Sequence, residues 1–271
     1  MEFLVKRQLQ TMMLLLLFTA GCVQADIAVL VHGYHSSGNA WRSGITQLLG
    51  NNGWNDAGFY TPQGNFGLFG KPLNNSGKHI VTAELPSEAP VEIQADLLTQ
   101  YLHDINERFP EQKIHLVAHS AGGIVARLAL INHYNQSKQF NVVQLITIAT
   151  PHLGSLIADV ANRASDTPLG IIAPFVGADE INRAEILYKQ LGREEKNHFL
   201  YRLNRQPHPP IKYTSIIRGD SSIMNGDWLV SSSRQNMALV PAIGANAQII
   251  LTPGDHHLKY ADGYLLLALL P

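Results

Sequence analysis

Residues 117–123, VAHSAGG, constrain the fold more than any other part of this chain. An apolar run over residues 114–118 leads in, and a helical pattern with Ile124, Val125, Leu128 and Ile131 on or near one face leads out. Strand, tight turn and helix in that order hold a serine exposed at the top of a sheet. Ala118 and Gly122, two residues either side of Ser120, leave room for backbones to cross where the turn is sharpest. Ser120 is then either a nucleophile or an ordinary helix N-cap, a position serine also favours. The rest of the chain decides between them.

Residues 26–31, DIAVLV, form a nearly continuous apolar run rich in β-branched side chains, the pattern of a strand covered on both faces. The run enters His32-Gly33-Tyr34 and a polar stretch before a helix expected over residues 41–49. The N–H groups of that turn then lie at the carboxyl end of the sheet, where open α/β sheets bind ligands. A second strand is expected over residues 57–61, and residues 62–90, with many Gly, Asn and Pro, read as a long loop near the mouth of a site. Ile93, Leu97, Leu98, Tyr101 and Ile105 mark an amphipathic helix over residues 91–109, closed by Pro110. Further strands are expected at 114–118, 142–148, 212–217 and 247–251, with a helix from the serine turn to about Tyr134 and a short apolar one over 260–270. This alternation predicts an α/β fold, a mostly parallel central sheet flanked by helices. Residues 156–199 interrupt it with helical patterns broken by Pro168, Pro174 and Gly177. An insertion here, carrying Leu169, Ile171, Ile172, Phe175 and Val176, would be a lid or one wall of an acyl pocket, or a permanently packed decoration.

The first 25 residues differ in kind. Lys6 and Arg7 precede an apolar core over residues 12–18 and then small residues up to Ala25, the layout of an export signal. The apolar stretch is too short to span a bilayer comfortably. Cleavage after Ala25 leaves a domain of residues 26–271 and favours soluble export, periplasmic or secreted. The competing reading takes Thr19-Ala20-Gly21-Cys22 as a lipoprotein box, with Cys22 acylated and holding the protein on a membrane. Cys22 is the single cysteine, so the domain has no internal disulfide and relies on its core. A formal net charge of -1 with no basic cluster argues against a nucleic-acid partner. No zinc-type Cys/His spacing or calcium loop is present, and the chain calls for no cofactor and no metal.

Each late strand delivers a turn bearing an acid or a histidine, so that Ser120 is followed by an aspartate and then a histidine. A serine hydroxyl is a weak nucleophile unless a histidine takes its proton. The histidine needs a buried carboxylate to fix its tautomer, and the tetrahedral intermediate needs backbone N–H donors. Asp220 and Asp227 compete as the acid. Asp227 is preferred because Gly226 precedes it and a Val-Ser run after it can re-enter the core. His256 is taken ahead of His257 as the base because it follows the Gly254-Asp255 turn more closely. Ala121 and Tyr34 are the expected oxyanion donors, His119 is expected to pack under the turn, and His152 to line the cleft.

The chain resembles the bacterial triacylglycerol lipase and esterase group of the α/β-hydrolases. The resemblance is carried by VLVHGYHSSGNAW, by KIHLVAHSAGGIVAR ending at Arg127, by ITIATPHLGS, by HFLYRLN, and by GDWLVSSSR around Asp227. It covers nearly all of the chain after Ala25, least well at residues 62–90 and 156–195. It implies Ser120 as nucleophile, Asp227 as acid and a histidine at 256 or 257 as base, acting on an acyl ester or lipid, with peripheral membrane contact an accompanying expectation. Two departures stand out. Ala118 replaces the commoner glycine of G-x-S-x-G, and Trp228 stands where a glycine is usual after the acid. Relatives also include deacylases of lipid anchors, so substrate does not follow from fold. The rivals are an acyltransferase or amidase on the same triad, and a non-catalytic binding module on a hydrolase scaffold.

Overall fold

A computed structural model describes residues 26–62, 73, 77–134, 141–155, 184–219 and 227–271. The export segment with Cys22, the apolar residues between 156 and 183, and Asp220 lie outside the described residues.

Seven strands form one sheet in the order β2-β3-β1-β4-β5-β6-β7, and every neighbouring pair is parallel. They are β1 (Asp26–Val31), β2 (Trp54–Tyr60), β3 (Lys78–Ala83), β4 (Lys113–His119), β5 (Val142–Ile148), β6 (Lys212–Arg218) and β7 (Ala247–Thr252). The helices among the described residues are α1 (Ile45–Asn51), α2 (Val91–Arg108), α3 (Ala121–Tyr134), α4 (Glu185–Leu191), α5 (Phe199–Leu203), α6 (Ser232–Gln235) and α7 (Tyr260–Leu269). A 3-10 turn over Gly38–Arg42 precedes α1, so the helix expected over 41–49 is two pieces broken at Gly44, whose φ is 107°.

Unbroken apolar runs become central strands because helices cover both faces and successive side chains point to opposite sides. In β1, Ile27, Val29 and Val31 join the core that holds Leu98, Leu102 and Ile105 of α2 and Ile124, Val125 and Leu128 of α3. Ala28 and Leu30 point the other way, into the core shared with Trp41, Ile45 and Leu49 and with Leu266 of α7. β7 is an edge strand and is half-exposed, with Leu251 67% accessible.

The loop expected over residues 62–90 is corrected in part. Residues 78–83, KHIVTA, form β3, which pairs with β1 on one side and β2 on the other. The strand is short, opens on Lys78 and His79, and follows a turn-rich region, so its composition hid a fully internal position in the sheet. Its place inside the sheet follows from pairing on both edges with strands distant in the chain, which no local pattern records.

Candidate active site

β4 carries its chain into Ser120 and straight out into α3. Ser120 has φ 52°, left-handed backbone that a non-glycine residue adopts only when its surroundings enforce it. Those surroundings are visible. The Ser120 N–H donates to Ile148 O at 2.9 Å, and the Gly123 N–H donates to Ser120 O at 3.0 Å. A Cβ at Gly122 would stand 2.2 Å from His32 O, and one at Gly123 2.2 Å from Thr150 Oγ1. A Cβ at Gly33 would stand 2.7 Å from Ser120 Cβ, so the loop after β1 lies against the serine. Glycines are required here by close approach rather than by backbone freedom, while Ala118 is fully buried in β4.

His256, in the loop between β7 and α7, lies 2.7 Å by Nε2 from Ser120 Oγ and 2.7 Å by Nδ1 from Asp227 Oδ2. The carboxylate can only accept, so Nδ1–H donates to it and Nε2 keeps a lone pair for the serine hydroxyl. Asp227 Oδ1 accepts the N–H groups of Leu229 at 2.9 Å and Val230 at 3.0 Å, and the Asp227 side chain is wholly buried. The other histidine of the pair does not reach the serine. His257 has an 85% exposed side chain, and its Nδ1 is 3.4 Å from Asp255 Oδ1. Trp228 is also largely exposed, so its size is accommodated outside the core.

The loop bearing His256 is fastened from two sides. Arg218, at the end of β6, donates to Thr252 Oγ1 at 2.9 Å and His257 O at 3.2 Å, and pairs with buried Asp262 of α7. Asp262 Oδ2 also accepts the Lys259 N–H at 2.7 Å. His119 does more than pack under the turn: its Nε2–H donates to His256 O at 2.7 Å. Burial, then the neighbouring His256, lowers the His119 pKa to about 3 and keeps the ring neutral for that role.

On the opposite flank His32 fixes the loop after β1. Its Nδ1–H donates to Gly33 O at 3.0 Å and its Nε2 accepts the Leu85 N–H at 3.1 Å. Burial lowers its pKa, in keeping with one donor and one acceptor nitrogen. Tyr34 follows, its hydroxyl accepting from Tyr188 of α4 at 2.9 Å. Ala121, first in α3, has no carbonyl within its own helix to bond, and its N–H is adjacent to Ser120. The Ala121 N–H thus stands next to the serine in the chain, and the loop that carries Tyr34 lies against the serine at Gly33.

His152 is placed differently from expectation. It is fully buried and does not line the cleft. Its Nδ1 accepts from Arg127 at 3.3 Å and its Nε2–H donates to Thr147 Oγ1 at 3.0 Å. Arg127 also donates to Asn204 Oδ1 at 2.8 Å and His208 Nε2 at 3.2 Å, and Asn204 donates to His152 O at 3.0 Å. This knot ties α3, the turn after β5 and the end of α5 together behind the serine. Burial lowers the Arg127 pKa to about 9 and that of His208 to about 3, and holds His152 well below the usual histidine value.

Sequence reasoning missed Gln235. This residue of α6 is fully buried, and its Nε2 donates to Asp227 Oδ2 at 2.9 Å. A glutamine at the end of the polar run SSSRQ gives no sign of burial, so only its position after the acid could have pointed to it. Among the described residues no three His, Cys, Asp or Glu side chains converge as metal ligands, and no helix is long and apolar enough to cross a membrane.

A family model described as "Putative serine esterase (DUF676)" matches residues 24–208, more than half of the chain. Triacylglycerol lipase 2 of Saccharomyces cerevisiae is 31% identical over 93 residues, a stretch spanning 33% of this chain and 28% of the yeast enzyme. The mature form of lipase BlEst2 from Bacillus licheniformis shares the fold with a TM-score of 0.59, covering 90% of this chain and 89% of its own at 20% identity. A lipase-esterase related protein from Clostridium acetobutylicum does so with a TM-score of 0.54, covering 92% and 95% at 11% identity. The parallel sheet with helices on both faces is thus the α/β-hydrolase fold.

Proposed function

The chain belongs to the family described as "Putative serine esterase (DUF676)", and from that premise we propose an exported serine hydrolase that cleaves carboxylic esters of acyl lipids through an acyl-enzyme. The observation that carries this reading is the relay of Ser120, His256 and Asp227, with two contacts of 2.7 Å at the carboxyl ends of parallel strands.

Ser120 Oγ attacks the ester carbonyl carbon as its proton passes to His256 Nε2. Asp227 holds the resulting imidazolium through Nδ1–H. The carbonyl oxygen, now negative, takes the N–H groups of Ala121 and Tyr34. Collapse breaks the bond to the alkoxy oxygen, which leaves with the proton from His256. A water then gives its proton to the same nitrogen, attacks the acyl-serine and releases the acid with Ser120 restored. The acyl-lipid preference draws on the apolar side chains between residues 156 and 183 and on the similarity to a yeast triacylglycerol lipase.

Hydrolysis of p-nitrophenyl esters of increasing chain length tests the reading. Ser120→Ala is expected to lower kcat by about 10³-fold or more, and longer acyl chains to be preferred over acetate. Full activity in that variant would overturn the assignment of Ser120. For export, the mass of the mature protein recovered from the cell envelope or medium is expected to begin at Asp26. An acylated Cys22 at the terminus would replace soluble export with lipid anchoring.

A further inference from the structure

Gln235 occupies a position that the triad alone does not explain. Its side-chain oxygen accepts the Arg218 N–H at 2.7 Å, and its side-chain nitrogen faces three oxygens. These are Asp227 Oδ2 at 2.9 Å, Val230 O at 2.6 Å and Arg218 O at 3.4 Å. A donor on one side and only acceptors on the other fix which end of the amide is nitrogen. The main chain of Gln235 is tied to the sheet as well, because its carbonyl accepts Ser215 Oγ–H of β6 at 2.6 Å. Gln235 thus carries the geometry of β6 to the acid.

The oxygen it meets is the one that faces His256. Asp227 Oδ1 is filled by two N–H groups of its own turn, while Oδ2 receives His256 Nδ1–H and the Gln235 amide. Those donors use the acceptor capacity of a carboxylate. With one donor on Oδ2 instead of two, the carboxylate would be held less firmly on the side that faces His256, and the imidazole would follow its displacement. A neutral amide suits this place. It donates without adding a charge beside the carboxylate, and so keeps the dry pocket at one negative charge.

We propose that Gln235 is a positioning residue of the ester-cleaving site, locking Asp227 Oδ2 so that His256 stays aligned on Ser120; this rests on the serine-hydrolase reading above. Gln235 is fully buried and does not touch substrate, so its effect falls on kcat rather than KM. Among the described residues, the His119 ring of β4 lies 5.3 Å from that of His256, Arg218 of β6 donates to His257 O, and Asp255 and Lys259 pair with each other in the same loop. Of these, only Arg218 touches Gln235, through its main chain: Gln235→Met removes the acceptor of the Arg218 N–H, which Gln235→Glu keeps.

The test compares wild type, Gln235→Met, Gln235→Glu and Ser120→Ala in steady-state hydrolysis of a p-nitrophenyl ester across pH, with circular dichroism as the check on folding. Gln235→Met keeps the length and removes the amide. It is expected to lower kcat about tenfold to a hundredfold with KM unchanged. The acid limb of its kcat/KM profile is expected to move, because the carboxylate that holds His256 Nδ1–H loses one of its donors. Gln235→Glu keeps the shape and the acceptor for Arg218, and shares a proton with Asp227, so it should recover part of the lost kcat. Wild-type kcat and an unmoved acid limb in folded Gln235→Met would overturn the proposal, as would a loss expressed in KM alone. If Gln235→Met does not fold, Gln235→Ala takes its place under the same criteria: wild-type kcat with an unmoved acid limb overturns the proposal, and a lower kcat at unchanged KM supports it. An inactive Ser120→Ala beside a wild-type-like position 235 would sink this inference alone. An active Ser120→Ala would sink the reading beneath it.

Discussion

Ser120 combines left-handed backbone with a hydrogen bond to a histidine, two features that a helix N-cap does not need. A cap would use its side chain on the first turn of its own helix; this one turns away to His256. The order of serine, acid and histidine was readable in the sequence because Ser120 and His256 stand just after β4 and β7, and Asp227 falls between β6 and β7. The choice of His256 over His257 rested on nothing more than closeness to the Gly254-Asp255 turn, since adjacent residues share nearly every local signal. Tertiary contacts separate them, as His119 and Arg218 grip the main chain at residues 256 and 257 and turn one ring inward and the other out. His256→Ala is therefore expected to cost about 10³-fold or more in kcat, and His257→Ala to stay within about twofold of wild type. Equal losses in the two variants, measured on the same ester, would contradict this placement. Gln235 and the linking role of His119 were hidden for a common reason: which polar side chain is buried against which oxygen is decided by packing, not by pattern.

Among the elements, the strands with uninterrupted apolar runs and the long amphipathic α2 were readable, because burial on two faces or on one stripe leaves a period in the sequence. β3 was hidden by its surroundings, and α1 by a left-handed glycine that splits the expected helix. The joint between β4 and α3 depends on close crossings that sequence hints at only through small residues. Gly122 faces backbone of the strand-end turn at His32, and backbone cannot step aside as a flexible side chain can. Gly122→Ala should lower stability by about 1–3 kcal/mol, as overpacking does, and reduce activity as well. Gly33→Ala pushes on Ser120 itself and should lower kcat more than it lowers the melting temperature. Paired measurements of thermal melting and kcat distinguish the two substitutions. A Gly122→Ala protein as stable as wild type would show that the elbow relaxes more freely than its contacts suggest.

For the whole molecule, the notable economy is a set of histidines kept neutral inside the fold. His32, His115, His119, His133, His152 and His208 are all shifted downward, and in each the first cause is burial. In the unfolded chain such rings take up protons below about pH 6.5. Stability is then whole above that pH and falls as the medium is acidified toward folded values of about 4 for His133 and about 3 for His119 and His208. Urea midpoints between pH 7.5 and 4.5 are expected to decline, with uptake of more than one proton on unfolding at pH 5. A flat profile would mean that these rings are protonated in the native state too.

The sheet order has a consequence in time. β1 lies between β3 and β4, both of which come later in the chain, and β4 ends at His119, 88 residues beyond Val31 (119 − 31). At about 5–20 residues per second of synthesis, that interval lasts roughly 5–20 s. If the chain begins to fold as it emerges, for that long the segment DIAVLV, without a lysine, arginine or proline to blunt it, waits for its second neighbour as a strand able to pair with another chain. The strand that ends up most enclosed is thus the one that needs shielding earliest, while the edge strand β7 finds its partner β6 already made.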